Sequence, residues 1–247
     1  MTSAALAYTR FELKRTFRNR RFLLFSFIFP VLLYLLVAGP SRSTSNLQGT
    51  GLSAPLYFMV SMASWGTMTA TLSVGARIAG ERQTGWNRQL RISPLSARAY
   101  LRAKILTSYL MASLSLGVLY VLGASFGVRL PAGEWLGMTG LILVGLIPFA
   151  ALGITMGHLL TVDTLGPVLG GGTSLLALVS GTWFPLGDSG FVHDLAQGLP
   201  SYWLVQADRV ALGGGGWSLT GWLVVLGWGA LFAFTAAYVF RRDTARA

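Results

Sequence analysis

The sequence predicts an all-α membrane protein with six transmembrane helices. Of its 247 residues, 53% are hydrophobic and only 11% are charged, whereas about 25% of the residues of soluble globular domains are charged. Six stretches of 20 or more residues contain no Asp, Glu, Lys or Arg: 22–41, 43–76, 105–128, 135–162, 164–187 and 210–240. Each can supply the ~20 apolar residues that cross a bilayer as a helix. Because these stretches occupy most of the chain, we expect a single transmembrane domain over residues 1–247 and no separate soluble domain.

The basic residues predict the orientation of these helices. The sequence contains 19 Lys and Arg residues, and 16 of them precede the first stretch, separate the second from the third, or follow the last. The positive-inside rule predicts that these segments are cytoplasmic, so we expect both termini to face the cytoplasm. We also expect the membrane to be the plasma (inner) membrane. The positive charge is explained by topology and contact with membrane lipid, and we expect no nucleic-acid partner.

Residues 1–21 are predicted to form a cytoplasmic amphipathic helix along the membrane surface. Leu6, Leu13 and Phe17 share one narrow arc of a helix, and basic residues occupy the adjoining arc. Such a helix would place its basic side near lipid phosphates. A basic tail without fixed structure is the alternative.

The six transmembrane helices follow from the uncharged stretches. Pro30 predicts a kink in the first helix that neighbouring helices must compensate. Pro148 lies in the middle of the fourth, and Gly166 and Pro167 open the fifth. The predicted bounds are about 22–39, 55–76, 105–128, 135–160, 166–184 and 219–240.

The connection 77–104 is longer than a turn between two helices requires, and such connections often carry function. Its first half, RIAGERQTGWNRQLR, predicts an amphipathic helix with Ile78, Trp86 and Leu90 on one face, ended before Pro94. A charged loop that only enforces topology is the alternative.

The connection 187–218 is also long and is predicted to be external. Pro200 divides it into two short apolar pieces that cannot span a bilayer, so they dip into the outer leaflet or pack over helix ends. His193 and Asp194 have no third metal ligand at helical spacing, which indicates a solvent-facing pair.

Several kinds of chemistry have no sequence support. The absence of cysteine excludes disulfides, thiolate metal sites and a Cys nucleophile. A GxxxxGK[ST] phosphate loop is also missing, so we expect neither a cofactor in this chain nor enzymatic activity of its own. The predicted spans contain no ionisable group except His158, interpreted as a hydrogen-bonded interfacial histidine, which disfavours an ion-coupled carrier.

Three segments resemble one family of membrane proteins. They are GERQTGWNRQLRISPLSARAYLRAKI between the second and third helices, SGTWFPL at the end of the fifth, and WLVQADRVAL in the external connection. In their order and spacing they are similar to the type-2 ABC exporter permeases, six-helix subunits that work with a separate ATPase. The resemblance covers almost the whole chain.

The resemblance implies roles for particular residues. The segment 79–90 would be the coupling helix, and the residues expected at or near the ATPase contact are Ile78, Glu81, Arg82, Gly85, Trp86 and Leu90. The external segment would form a re-entrant lid that includes Phe184, Pro185, Phe191, Leu195 and Trp203. The linker 187–190 departs from the apolar-rich linker of most relatives.

The expected function is that of the permease subunit of an ATP-driven exporter. Two ATPase subunits would bind ATP and Mg²⁺, and a second copy of the chain or a homologous permease would complete a central route lined by helices one, two and five. The aromatic and Met-rich spans favour hydrophobic or amphipathic cargo, such as drugs, antibiotics or lipids. A membrane assembly or lipid-handling protein without a transport cycle is the alternative, followed by an ion-coupled carrier.

Overall fold

The computed structural model describes residues 3–86, 95–187, 189–213 and 215–246, and over these ranges the chain contains helices and no strand. We number the α-helices in chain order: α1 Ser3–Phe17, α2 Arg20–Leu23, α3 Phe29–Ala38, α4 Ala54–Leu72, α5 Val74–Gln83, α6 Ala97–Ser125, α7 Ala132–Gly145, α8 Ile147–Leu159, α9 Val162–Val179, α10 Phe191–Gln197, α11 Pro200–Val205 and α12 Leu219–Arg246. A π-helical turn, Leu24–Ile28, joins α2 to α3, and a 3₁₀ helix, Gln206–Leu212, follows α11.

All six uncharged stretches contain helix, and the chain is a multi-pass membrane protein. In the described part, four segments are long and apolar enough to cross a membrane: α6, α7 together with α8, α9, and residues 219–242 of α12. The segment 26–38 is apolar but shorter, and α4 is less apolar because it carries several Ser and Thr residues. Six crossings therefore remain a prediction.

Helix α4 lies at the centre of the bundle. Every residue of α4 except Thr69 is buried, and the helix packs against α3, α6 and α8. A helix surrounded by other helices does not face lipid, so its hydroxyl groups can contact its neighbours instead. The burial of α4 thus accounts for its lower hydropathy.

The distortion predicted at Pro30 is present as the π-helical turn just before it. Proline has no N–H, so the carbonyl of Ser26, four residues earlier, loses its helical donor. The Ser115 hydroxyl of α6 donates to that carbonyl at 2.9 Å. A neighbouring helix therefore compensates the proline, as the sequence predicted.

Three predicted boundaries differ from the structure. Helix α6 begins at Ala97 because the Ser96 hydroxyl caps it, so Lys104 lies inside this helix rather than in the preceding connection. Pro148 divides the fourth predicted helix into α7 and α8. A capping box between Thr161 and Thr164 starts α9 before Gly166.

The structure also corrects the single helix predicted over residues 77–91. Helix α5 ends at Gln83, and Gly85 has a φ of 70°. This left-handed conformation is open mainly to glycine and ends the helix. Leu90 lies outside the described residues.

Helix α1 is formed as predicted, and one of its faces, to which the sequence gave no role, packs against the protein. Ala5, Tyr8 and Glu12 are buried against the bundle, whereas Leu6 and Phe17 of the predicted apolar arc are about half exposed. The apolar arc is therefore free to contact lipid. The buried face carries a carboxylate into the protein.

Candidate functional site

A buried ion cluster joins three helices at one end of the bundle. We call this end, formed by α1, α5, the start of α6 and the last turns of α8 and α12, the basic end. The Lys104 ammonium on α6 lies 2.7 Å from Glu12 Oε1 on α1 and 2.5 Å from Glu81 Oε1 on α5. Lys104 and Glu12 are 0% exposed, and Glu81 is 1% exposed. Removing water from such charges is costly unless their partners stay in place, so the three helices are held in one arrangement.

Further side chains complete the cluster. Arg15 Nη1 lies 2.6 Å from Glu81 Oε1, and Arg77 Nε lies 3.2 Å from Glu12 Oε1. The Tyr100 hydroxyl donates to Glu81 Oε2 at 2.6 Å. The two carboxylates therefore face three cations and a phenol, which compensates their negative charge.

An aromatic pair lies on the surface beside this cluster. The Trp86 ring stacks on Phe11 of α1, with ring centroids 6.2 Å apart and an interplanar angle of 21°. Phe11 is 47% exposed, and Trp86 is partly exposed. Because Gly85 turns the chain after α5, Trp86 comes back toward α1. The pair presents apolar surface among basic side chains, a combination common at protein–protein contacts.

Helix α5 is fixed to α8 by close backbone contact. A Cβ added to Gly75 would lie 2.4 Å from the Gly153 carbonyl oxygen, and one added to Gly157 would lie 2.7 Å from the Gly75 carbonyl oxygen. Gly153 and Gly157 form a GxxxG pair, which permits such an approach between helices. Arg82 adds a hydrogen bond of 3.1 Å to the Gly157 carbonyl.

The structure places the residues predicted for ATPase coupling in two groups. Ile78 and Glu81 are buried, Ile78 in a small apolar cluster with Val74 and Ile154, and Glu81 in the ion cluster. They do not form an exposed face with Trp86, because α5 ends before Trp86 is reached. Arg82, Gly85 and Trp86 lie in the last turn of α5 and the turn after it, and Leu90 is outside the described residues.

At the opposite end, the predicted lid consists of two unlike helices. On α10, Phe191 is 81% exposed and Leu195 is also exposed. All residues of α11 are buried. Trp203 of α11 packs against Gly221 of α12, and its indole N–H donates to the Gln197 carbonyl at 2.9 Å. Of the other lid residues, Phe184 is exposed and Pro185 is partly exposed.

The polar groups near the lid do not form a metal centre. Over the described residues, no group of three His, Cys, Asp or Glu side chains is close enough to hold a metal. Of the pair predicted to face solvent, Asp194 is exposed, whereas His193 is partly buried and its Nε2 lies 2.6 Å from Gln197 Nε2. Sequence reasoning gave no role to Asp208, which is buried in the 3₁₀ helix. Burial raises the pKa of the Asp208 carboxyl to about 7.

A cavity of about 1170 Å³ opens beside the ion cluster. It lies between α1, α3, α4, α5 and α9. Its basic wall contains Lys14, Arg15, Arg18 and Arg77, and its apolar wall contains Phe29, Trp65, Leu165 and Leu169. The sequence predicted a route along the corresponding helices but gave no signal for the cavity's dimensions.

Comparison with known proteins identifies the family. The family described as "ABC-2 family transporter protein" matches residues 40–239. The chain is also similar to "Putative transport permease YvfS" of Bacillus subtilis (strain 168), with 29% identity over 238 residues, 95% of this chain and 96% of that protein. The resemblance stated from the sequence is thereby confirmed. The chain belongs to the ABC-2 family of transporter proteins, as a membrane permease of an ABC transporter.

Proposed function

We propose that the chain is the permease subunit of an ATP-driven exporter, and that its ATPase partner docks on the basic end. The observation that supports this most is the ion cluster, which ties α1 and α5 to α6 beneath the exposed Phe11–Trp86 pair. A force applied to the surface turn would pass through buried charges into a helix long enough to cross the membrane. Membership of the family implies a separate ABC ATPase, which would hold ATP and Mg²⁺.

Topology and assembly complete the proposal. The positive-inside rule favours six crossings with both termini in the cytoplasm of a plasma-membrane protein, so the basic end would face the ATPase. Two permease subunits, either two copies of this chain or this chain and a homologue, would enclose the route. The cavity with its apolar wall supports hydrophobic or amphipathic cargo.

The role of Glu81 changes within this proposal. A carboxylate that is 1% exposed and surrounded by Lys104, Arg15 and Tyr100 is already paired inside the chain. Glu81 would therefore position α5 rather than contact the ATPase directly. The direct contact would come from Trp86, with Arg82 and Gly85 shaping the turn.

Trp86→Ala should weaken association with the ATPase about thirtyfold. Tryptophan is a frequent hot-spot residue, and its truncation in a contact costs about 2 kcal/mol or more. The measurement is titration of the purified ATPase subunit onto immobilised permease. Trp135→Ala is the matched control, because Trp135 also contacts an aromatic ring, that of Tyr120, but lies at the opposite end. If the two variants bound the ATPase with equal affinity, the ATPase would not dock on the basic end.

Phe191→Ala should change the transport rate several-fold, or change which substrates are transported, while the complex still assembles. The Phe191 side chain is 81% exposed, so its removal costs little packing and tests the lid directly. Trp203→Ala is less informative because that ring packs on α12. Transport by reconstituted complexes is the measurement. Phe234→Ala is the control, because Phe234 on α12 is also largely exposed, at 74%. Wild-type transport of every tested substrate by Phe191→Ala would contradict the lid role.

A further inference from the structure

The cavity has a basic side and an apolar side. Lys14, Arg15, Arg18 and Arg77 line its basic side, and its lining contains no Asp or Glu. Arg15 and Arg77 are paired with the buried carboxylates of the ion cluster. Lys14 and Arg18 make no ion pair with any residue that the structure describes, and both are exposed. These two exposed cations mark an open, basic side of the cavity, which we call its mouth.

The buried carboxylates of the ion cluster do not compensate the charges of Lys14 and Arg18. Glu12 and Glu81 are fully enclosed by α1, α5 and α6, and both are closely paired with Lys104. All the charged side chains that line the cavity are cations, so they would repel a cationic headgroup at the mouth. An anionic headgroup would accept charge-assisted hydrogen bonds from Lys14 and Arg18.

The rest of the cavity suits an alkyl chain. The apolar wall is formed by Phe29 and Trp65 together with residues of α9. On α9, Gly166 and Gly170 line the space, and a Cβ added to either would meet nothing within 4 Å. The absence of side chains there leaves room for a ligand. A volume of about 1170 Å³ exceeds the ~300–1,000 Å³ typical of pockets for drug-sized molecules.

We propose that this cavity binds an anionic amphiphile, with a phosphate or carboxylate headgroup at Lys14 and Arg18 and an alkyl chain between α4 and α9. This inference rests on the proposed function, because it names the chemical class of molecule that the permease takes up at its basic end. The same chemistry could come from transported cargo or from a resident anionic phospholipid. The experiment below separates these sources.

The test uses a diazirine-bearing dodecyl phosphate as a photoreactive probe. The full-length permease with its copurified ATPase is placed in phosphatidylcholine nanodiscs, and labelled peptides are mapped by mass spectrometry. Labelling is expected on α4 and α9, and dodecyl phosphate should compete at least tenfold better than dodecyltrimethylammonium, which has the same chain and the opposite charge. Equal competition by the two would overturn the proposal.

Matched variants test each half of the site. Gly170→Leu should fill the cavity and lower labelling at least tenfold, whereas Gly171→Leu changes an adjacent glycine that does not line the cavity and should label normally. Both changes raise helix propensity, so neither should impair folding of α9.

Lys14→Gln combined with Arg18→Gln should lower labelling at least fivefold. Arg10→Gln combined with Arg98→Gln removes the same charge away from the cavity and is the control. Wild-type labelling of Gly170→Leu would also overturn the proposal.

Two further arms identify the source and separate this inference from the proposed function. Displacement of the probe by phosphatidylglycerol in the nanodisc would assign the site to a resident lipid, and release of the probe on ATP hydrolysis would assign it to cargo. Both outcomes support an anionic-amphiphile site. If the headgroup charge has no effect on competition for labelling but Trp86→Ala still weakens ATPase association, the inferred class of cargo is wrong and the proposed function stands.

Discussion

Lys104→Met should lower the free energy of unfolding by about 3 to 5 kcal/mol, because it leaves Glu12 and Glu81 buried without the cation that they share. Methionine keeps the apolar stem of the lysine, so packing loss contributes little. For a chain of this size, roughly 2–4 °C of melting temperature corresponds to 1 kcal/mol. Thermal unfolding of the detergent-purified protein should therefore show a drop of roughly 6 to 20 °C.

A control variant and a rescue variant test whether the loss of stability comes from the ion cluster. Lys14→Met removes the same charge from the same end of the protein, but from an exposed side chain, and should shift the melting temperature by less than about 2 °C. Glu81→Gln added to Lys104→Met removes one of the two stranded carboxylates and should recover part of the loss. Non-additivity of this kind is expected for residues in one network. Additive losses, or equal melting temperatures for the two lysine variants, would mean that the cluster does not hold these helices together.

The helices were largely predictable because each depends on a continuous piece of sequence. An uncharged stretch of 20 or more residues predicts a helix wherever it lies, and all six stretches contain one. The distortion before Pro30 could be predicted for the same reason, since a proline removes a hydrogen bond in its own helix. The boundary of α6 was missed because Ser96, an effective cap, lies within a charged segment that resembled a loop.

The site was less predictable because it combines residues that are distant in the sequence. Glu12 and Lys104 each resembled a solvated charge in a basic segment, and Glu81 was expected at the ATPase contact. Nothing local in the sequence shows that the three residues face one another. The amphipathic pattern of α1 predicted a helix along the membrane surface, but not which of its faces packs on the protein. The structure buries Glu12 and leaves Leu6 about half exposed. At a membrane surface, an apolar face can turn to lipid while a charged face is satisfied inside the protein.

The close contact of α5 with α8 has a consequence for coupling. Helix α5 carries Glu81 and leads into the turn with Trp86, so its position decides where both of them lie. Two glycines of α8 and one of α5 set this position through backbone contacts. The ion cluster holds α5 to α1 and α6 from another direction. A movement of the surface turn would therefore reach α6 and α8 together.

Gly75→Ala should destabilise the protein by about 1 to 3 kcal/mol and weaken ATPase association as well. The added Cβ would lie 2.4 Å from the Gly153 carbonyl oxygen, so the backbones of α5 and α8 must separate. Gly80→Ala is a close control on the same helix, because a Cβ at Gly80 meets nothing within 4 Å. It should leave stability unchanged or raise it by up to about 1 kcal/mol through helix propensity. Both variants are measured by thermal unfolding and by ATPase titration.

A second variant addresses the same contact from the other helix. Gly157→Ala places a Cβ 2.7 Å from the Gly75 carbonyl oxygen and should reproduce the loss of stability seen with Gly75→Ala. Because both changes separate one pair of helices, the double variant should lose less than the sum of the two single losses. ATPase affinity should fall with both, since each displaces the turn that carries Trp86. If Gly75→Ala were as stable and as tightly bound as Gly80→Ala, the two backbones would not meet closely, and α5 would not transmit movement to α8 through this contact.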